Sequence, residues 1–152
     1  MTGDRRLFLQ TVGVTLAVLA LGVLAQGAAY ASSTGVRDEG QLHLVKQSGS
    51  VLLEEGPTSG TLPGTVRVRF LYNGGPVVTA QFTIYAPGGS IRAHALGRLN
   101  DPNSASPSFA GPLAITGGTG RYAGAQGRGK IYGVLDVASA NLILQPVGEL
   151  RY

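Results

Sequence analysis

The sequence predicts an all-β fold, an eight-stranded antiparallel β-barrel preceded by a signal-peptide helix. Glycine accounts for 24 of the 152 residues, which suits tight turns and closely approaching strands. After residue 31 helix formers are scarce, whereas Val, Ile, Thr, Tyr and Phe are spread along the chain, as in strands. About eight strand-like segments follow one another through short turns. Closure of such a set into a barrel removes exposed edges, and a β-sandwich is the alternative architecture.

Composition excludes several classes of site and partner. The chain has no cysteine, so it forms neither a disulfide framework nor a thiolate zinc site. Its net charge is +4, and the basic residues are scattered rather than clustered. A nucleic-acid-binding protein normally carries a denser basic stripe, so we expect no nucleic-acid partner.

Residues 1–31 have the three parts of a secretory signal peptide. Arg5 and Arg6 precede an apolar run over residues 12–25, and Ala29 and Ala31 supply the small residues that signal peptidase accepts. The sequence therefore predicts cleavage after Ala31 and export to the cell envelope or the extracellular space. An uncleaved anchor is the alternative, although the run is shorter than the roughly 20 residues of a spanning helix. Apart from this segment, no membrane contact is expected.

The arginine pair also resembles a bacterial twin-arginine export signal. Residues 5–10 read Arg-Arg-Leu-Phe-Leu-Gln, which is close to that pattern. Asp4 and Gln10 stand where the signal usually has Ser or Thr and Lys. This interpretation predicts export of an already folded protein from a bacterial cell.

The mature chain divides into a leader and one domain. Residues 32–40 are polar and contain glycine, so they are predicted to be a flexible leader, and residues 41–152 are predicted to form the barrel. Residues 56–64 are rich in Pro and Gly and are predicted to be a loop. The predicted strands are residues 41–47, 51–54, 65–72, 77–85, 90–98, 108–116, 125–137 and 141–150.

Alternation along these strands predicts which side chains fill the barrel. Apolar and aromatic residues share one face, namely Phe70, Tyr72, Phe82, Ile84, Ile91, Ile131 and Leu135. The other face carries Tyr85, Arg92, His94, Arg128, Lys130, Tyr132 and Asp136. We expect this polar face to meet solvent, because unpaired cations in a narrow lumen would cost several kcal/mol each; a partial cavity lining is the alternative. Phe70, Tyr72 and Phe82 are the candidate ligand-binding residues, with Tyr72 as the polar one.

Chemistry-bearing motifs are sparse. His43 and His94 belong to no metal-ligand pattern, so no metal site and no cofactor are predicted. Glu54 and Glu55 are adjacent on a strand and point to opposite faces, so they cannot act as an acid–base pair, and both are expected at the solvated surface. The glycine-rich segment 113–135 lacks the phosphate-loop ending and is followed by a strand, which favours a structural turn near Thr119 and Gly120.

The same segment carries a family resemblance. Residues 109–127 read FAGPLAITGGTGRYAGAQG, and this is similar to the glycine-rich signature of the allene oxide cyclase barrel-like superfamily, which includes dirigent proteins and exported bacterial proteins. The resemblance extends over about residues 41–152 and implies an eight-stranded barrel with a central apolar cavity, often in a homo-oligomer. The catalytic residues of the plant members have no counterpart that can be aligned here, so the catalytic residues are unknown.

Three functions follow as hypotheses. The first is an exported barrel that binds a small apolar molecule in its lumen. The second is an enzyme, an isomerase or cyclase or a dirigent-like protein, that acts on a reactive apolar substrate. The third is a structural or interaction protein of the cell envelope with a filled barrel. The size of the lumen separates the third from the others, and a buried carboxylate, tyrosine or arginine in an open cavity would favour the enzyme.

Overall fold

The structure is a computed structural model that describes residues 33–152, and these residues form one closed barrel of eight antiparallel strands. Every strand pairs with its neighbours in the chain, and β1 pairs with β8 to close the sheet. The prediction of an eight-stranded barrel is confirmed, and the sandwich alternative is wrong. The strands are β1 (Ser33–Ser48), β2 (Val51–Gly60), β3 (Gly64–Tyr72), β4 (Val77–Ala86), β5 (Gly89–Asn100), β6 (Ser108–Gly120), β7 (Gln126–Asp136) and β8 (Asn141–Arg151).

Two predicted boundaries are corrected. The flexible leader predicted for residues 32–40 is wrong over its described part, because β1 begins at Ser33 and residues 33–37 pair with β8. The loop predicted for residues 56–64 is shorter, because β2 continues to Gly60. In β1 the inward positions include Asp38 and Gly40, so the apolar alternation that marks a strand is absent from the sequence there. The predicted signal peptide and its arginine pair lie outside the described residues.

Side-chain alternation places the core inside the barrel. The inward residues of the central strands are buried, among them Val68, Phe70, Phe82, Ile91 and Ile131. The predicted outer face is confirmed, since Arg92, His94, Arg128 and Lys130 are exposed. Burial of apolar side chains is the main force that stabilises such a chain, which has no disulfide.

Bulges and turns shape the two ends of the barrel. The pairing register shifts by one residue at Val45 in β1 and at Thr116 in β6, and such bulges bend strands. The loop end is the end formed by residues 49–50, 73–76, 101–107 and 137–140. The turn end is the opposite one, with residues 61–63, 87–88 and 121–125 and the first residue of β1.

The glycine-rich segment forms the connection between β6 and β7 at the turn end. Gly120 has a φ of 60°, which favours glycine, and a Cβ there would lie 2.1 Å from the carbonyl oxygen of Gly88. The Tyr122 side chain is buried in this turn, and its ring centroid lies 4.9 Å from that of Tyr152. Arg121 stacks on both rings. The segment therefore connects two neighbouring strands of the barrel, as a structural turn does.

Among residues 33–152 there is no helix long and apolar enough to cross a membrane.

Candidate functional site

The barrel interior is divided by phenylalanine rings. Phe70 packs edge-on against Phe82, with ring centroids 6.4 Å apart, and against Phe109 at 6.0 Å. Two glycines make room for Phe109, since a Cβ on Gly133 would lie 2.2 Å from its Cζ and a Cβ on Gly97 would lie 2.8 Å from its Cδ2. These three rings, the phenylalanine cluster, separate the loop end of the lumen from the turn end.

The turn-end half of the lumen is filled. Its remaining cavity is about 30 Å³ and is lined mostly by aliphatic side chains, with Phe82 on its wall. That volume is only a few times the space needed for one water molecule, and an apolar cavity of this kind stays dry. This half is therefore structural core.

The loop-end half is open. A cavity of about 200 Å³, the loop-end pocket, lies above Phe70 and Phe109 and between the ends of the strands. Ten of its twelve lining residues are apolar, and the two others are Glu54 and Tyr72. The lining residues are Leu52, Glu54, Phe70, Tyr72, Val78, Leu99, Pro102, Pro107, Phe109, Leu135, Val137 and Leu142.

Glu54 is the chemically distinctive group of this pocket. It follows Leu52 by two residues on β2, so it points inward and lies about 7 Å deeper from the loop end. The residue is only 4% exposed, and its Oε2 atom has no hydrogen-bond partner among residues 33–152. Burial raises the pKa of the Glu54 carboxyl to about 7. At neutral pH this group is therefore able both to donate and to accept a proton.

Glu55, the next residue, has the opposite environment. It points outward, where its carboxylate accepts a hydrogen bond of 2.8 Å from Nε of Arg67 and forms an ion pair with the same guanidinium. The prediction that the two glutamates face opposite sides is confirmed. The expectation that both lie at the solvated surface is wrong for Glu54, because the inward positions of β2 run from Leu52 through Glu54.

A second buried carboxylate closes the turn end. Asp38 is 3% exposed, and its Oδ1 accepts a hydrogen bond of 2.8 Å from the backbone N–H of Leu62. Burial raises the pKa of Asp38, and backbone hydrogen bonds from Leu62 and Thr61 oppose that rise. The bond holds Leu62, itself buried, over the filled half of the lumen. Asp38 thus supports the end opposite the pocket.

The structure divides the three residues proposed from the sequence to bind a ligand. Phe70 and Tyr72 line the loop-end pocket, whereas Phe82 forms the turn-end side of the phenylalanine cluster and lines the small turn-end cavity. Sequence reasoning missed Glu54, because Leu52 and Leu53 precede the two glutamates on opposite faces of the strand and do not show which glutamate points inward. It also missed the loop residues Pro102, Pro107 and Val137, because the sequence of a loop does not show whether its side chains turn toward the lumen.

The remaining polar candidates lie outside the barrel. His43 and His94 are exposed, and residues 33–152 contain no group of three or more potential metal ligands. Asp136 accepts hydrogen bonds from Ser139 Oγ and from the backbone N–H of Ala138, which lower its pKa and fix the turn between β7 and β8. It belongs to a turn and does not reach the pocket.

Comparisons with protein-family models, with curated proteins and with solved structures found no match to this chain.

Proposed function

We propose that the protein is a binding barrel that takes a small apolar molecule into the loop-end pocket. The observation that carries this proposal is the asymmetry of the lumen, with a filled turn end and a cavity of about 200 Å³ at the loop end. Ligand sites are typically concave, mostly apolar and equipped with a few polar groups. Glu54 and Tyr72 supply those polar groups here.

The size of the pocket limits the ligand. Apolar protein cavities of about 150 Å³ accept benzene, and drug-sized ligands need about 300 Å³ or more. A pocket of about 200 Å³ therefore suits a single ring with a short substituent, or the corresponding part of a longer molecule. For so few atoms we expect dissociation constants in roughly the micromolar to millimolar range.

A matched pair of variants tests the location of binding. Val78 and Val77 are adjacent on β4, but Val78 lines the pocket while Val77 is 47% exposed on the outer face. We expect Val78→Phe to abolish binding of 2-phenylethanol in isothermal titration calorimetry and Val77→Phe to leave it unchanged. Circular dichroism confirms the fold of each variant. Equal binding by both variants would place the ligand elsewhere.

Glu54 favours an enzyme as the second candidate function. A carboxyl group with a pKa near 7 in an apolar pocket has the properties of a general acid or base. An isomerase, cyclase or dirigent-like reaction is the form that the family resemblance implies, and membership of the allene oxide cyclase barrel-like superfamily is part of this second proposal. A closed eight-stranded barrel supports that membership but is shared by unrelated families.

Native mass spectrometry of protein purified from its own host distinguishes these functions. A co-purifying molecule that the wild type converts to a product, and that Glu54→Gln binds unchanged, favours the enzyme. A molecule that both proteins return unaltered favours the binding barrel. The absence of any bound molecule, together with no binding of 2-phenylethanol, would leave the third hypothesis, a structural protein of the cell envelope.

Export is proposed from residues 1–31. We expect that changing Arg5 and Arg6 together to lysine abolishes export through the twin-arginine route. Normal secretion of this variant, measured by immunoblotting of cell fractions, would refute that route.

A homo-oligomer is proposed with the outer faces of β7 and β8 as its contact. Tyr132, Val134 and Ile143 are exposed there, and Val134 pairs directly with Ile143. Sedimentation velocity of the wild type and of Ile143→Lys tests it. A wild-type protein that sediments as a monomer would contradict it.

A further inference from the structure

Among residues 33–152, the charged side chains buried inside the barrel are all acidic. Glu54 is the one charged side chain among the twelve residues that line the loop-end pocket, and Tyr72 is the one other titratable group there. The second buried carboxylate, Asp38, faces the lumen from the turn end. Arginine and lysine side chains of the described strands, such as Arg67 and Arg69, point outward and are exposed.

This distribution excludes one class of apolar ligand and favours another. A molecule that ends in a carboxylate or phosphate would find no counter-charge in the pocket and would be repelled by Glu54. A neutral molecule with a hydroxyl group would find one acceptor. A molecule with a protonated amine would find both an acceptor and the opposite charge, and hydrogen bonds between charged groups are roughly twice as strong as neutral ones.

The burial of Glu54 strengthens this preference. An unpaired ionised carboxylate inside a protein is costly, and the cost is relieved when a partner of opposite charge donates a hydrogen bond to it. Within the part of the chain that the structure describes, Oε2 of Glu54 lacks a hydrogen-bond partner. Phe70, Tyr72 and Phe109 line the same pocket, and aromatic ring faces attract cations. A cationic donor on a ligand is therefore favoured by Glu54 and by the surrounding rings.

We infer that the loop-end pocket selects apolar molecules that carry a basic nitrogen, and that the ammonium group of the ligand pairs with the carboxylate of Glu54. This inference rests on the proposed binding function. Glu54 lies deeper in the pocket than Leu52, so the amine of the bound ligand occupies the inner end of the pocket. The apolar part of the ligand then lies toward Leu99 and Val137 near the loops. The pocket volume restricts the ligand to an amine on a single ring or a short chain.

Three probes of matched shape test the inference. 2-Phenylethylamine is cationic, 2-phenylethanol is neutral and phenylacetate is anionic at pH 8. In isothermal titration calorimetry of the purified protein we expect the amine to bind at least tenfold more tightly than the alcohol, and phenylacetate to bind at least tenfold more weakly than the alcohol. Glu54→Gln should reduce the affinity for the amine to that for the alcohol, while Glu55→Gln, on the outer face, should leave both unchanged.

The pH dependence of the wild type is a second measurement that needs no variant. The amine stays protonated between pH 5.5 and 8, since aliphatic ammonium groups have a pKa near 10. Glu54 must be ionised to pair with it, and burial raises the pKa of Glu54 to about 7. Affinity for the amine should therefore fall about thirtyfold from pH 8 to pH 5.5. At pH 5.5 the carboxyl of Glu54 is mostly protonated, so binding of the amine should release a proton from it. Affinity for the alcohol should change less than threefold.

The outcomes separate the inference from the function on which it rests. If the alcohol binds and the amine binds no more tightly, the inference is overturned and the binding barrel stands. The same conclusion follows if Glu54→Gln keeps the preference for the amine. If none of the three probes binds the wild type, both the inference and the proposed function fail.

Discussion

Replacement of Glu54 by glutamine changes how the stability of the protein depends on pH. Burial raises the pKa of this carboxyl from 4.5 to about 7, so the folded protein holds the proton more tightly than the unfolded chain does. Between these two values the folded state binds more protons, and the free energy of unfolding falls as pH rises. Below about pH 4.5 both states are protonated, and above about pH 7 both are ionised.

The size of the effect follows from the shift. One pKa unit corresponds to 1.36 kcal/mol, so the wild type loses about 3 kcal/mol of stability between pH 4 and pH 8 through Glu54. Glutamine does not ionise and has nearly the same shape. Glu54→Gln should therefore gain about 3 kcal/mol relative to the wild type as the pH is raised over this interval, while the other carboxyl groups titrate alike in both proteins.

Urea unfolding at a series of pH values measures this difference. The chain has no tryptophan, so far-UV circular dichroism is a suitable signal. Glu55→Gln is the matched control, because the Glu55 side chain is one-third exposed and pairs with Arg67 on the outer surface, where ion pairs contribute little. The control should follow the wild-type curve to within about 1 kcal/mol. A Glu54→Gln protein with the pH dependence of the wild type would refute the assignment of Glu54 to a buried, unpaired site.

The remaining predictions concern packing, backbone conformation and the second buried carboxyl. Gly133→Ala should destabilise the protein by roughly 1–3 kcal/mol, because the new Cβ would overlap the Phe109 ring. Gly35→Ala is the control, because there is open space around its Cβ, and it should leave stability unchanged or raise it slightly. Equal losses of stability for the two variants in urea unfolding would contradict this prediction. Ala140→Gly should raise the free energy of unfolding by up to about 1 kcal/mol, because Ala140 has a φ of 53°, and a lower urea midpoint would count against that strain. With Asp38→Asn the free energy of unfolding should fall less steeply as pH rises, since burial raises the pKa of Asp38. A steeper fall in the variant than in the wild type would contradict this prediction.

Much of the fold could be predicted from local patterns. Strands with an apolar face, such as Gly64–Tyr72 and Val77–Ala86, show clear alternation. The first half of β1 could not be predicted this way, because two of its inward positions hold Asp38 and Gly40. Asp38 is accommodated by the backbone N–H of Leu62, a contact between residues 24 positions apart that no local pattern reveals.

The site was less predictable than the fold. The sequence indicated an aromatic lumen and placed Phe70 and Tyr72 in it, but it could not say which half would be filled. Packing decided this, because Phe109 projects over Gly97 and Gly133 and meets Phe70. The position of Glu54 was not predictable either. Its alternation with Glu55 was evident, yet the sequence did not show which of the two side chains faces the core.

The succession of strands, the alternation of most of them and the turn made by the glycine-rich segment could be predicted from the sequence, because each depends on residues close together in the chain. The pairing of β1 with β8, the solid packing of the turn end and the acidic group in the open half became evident in the folded protein. Those features depend on contacts between distant strands, where the volume of one side chain sets the space left for another. Local sequence patterns thus define the strands of the barrel, and the pocket arises from how distant strands pack together.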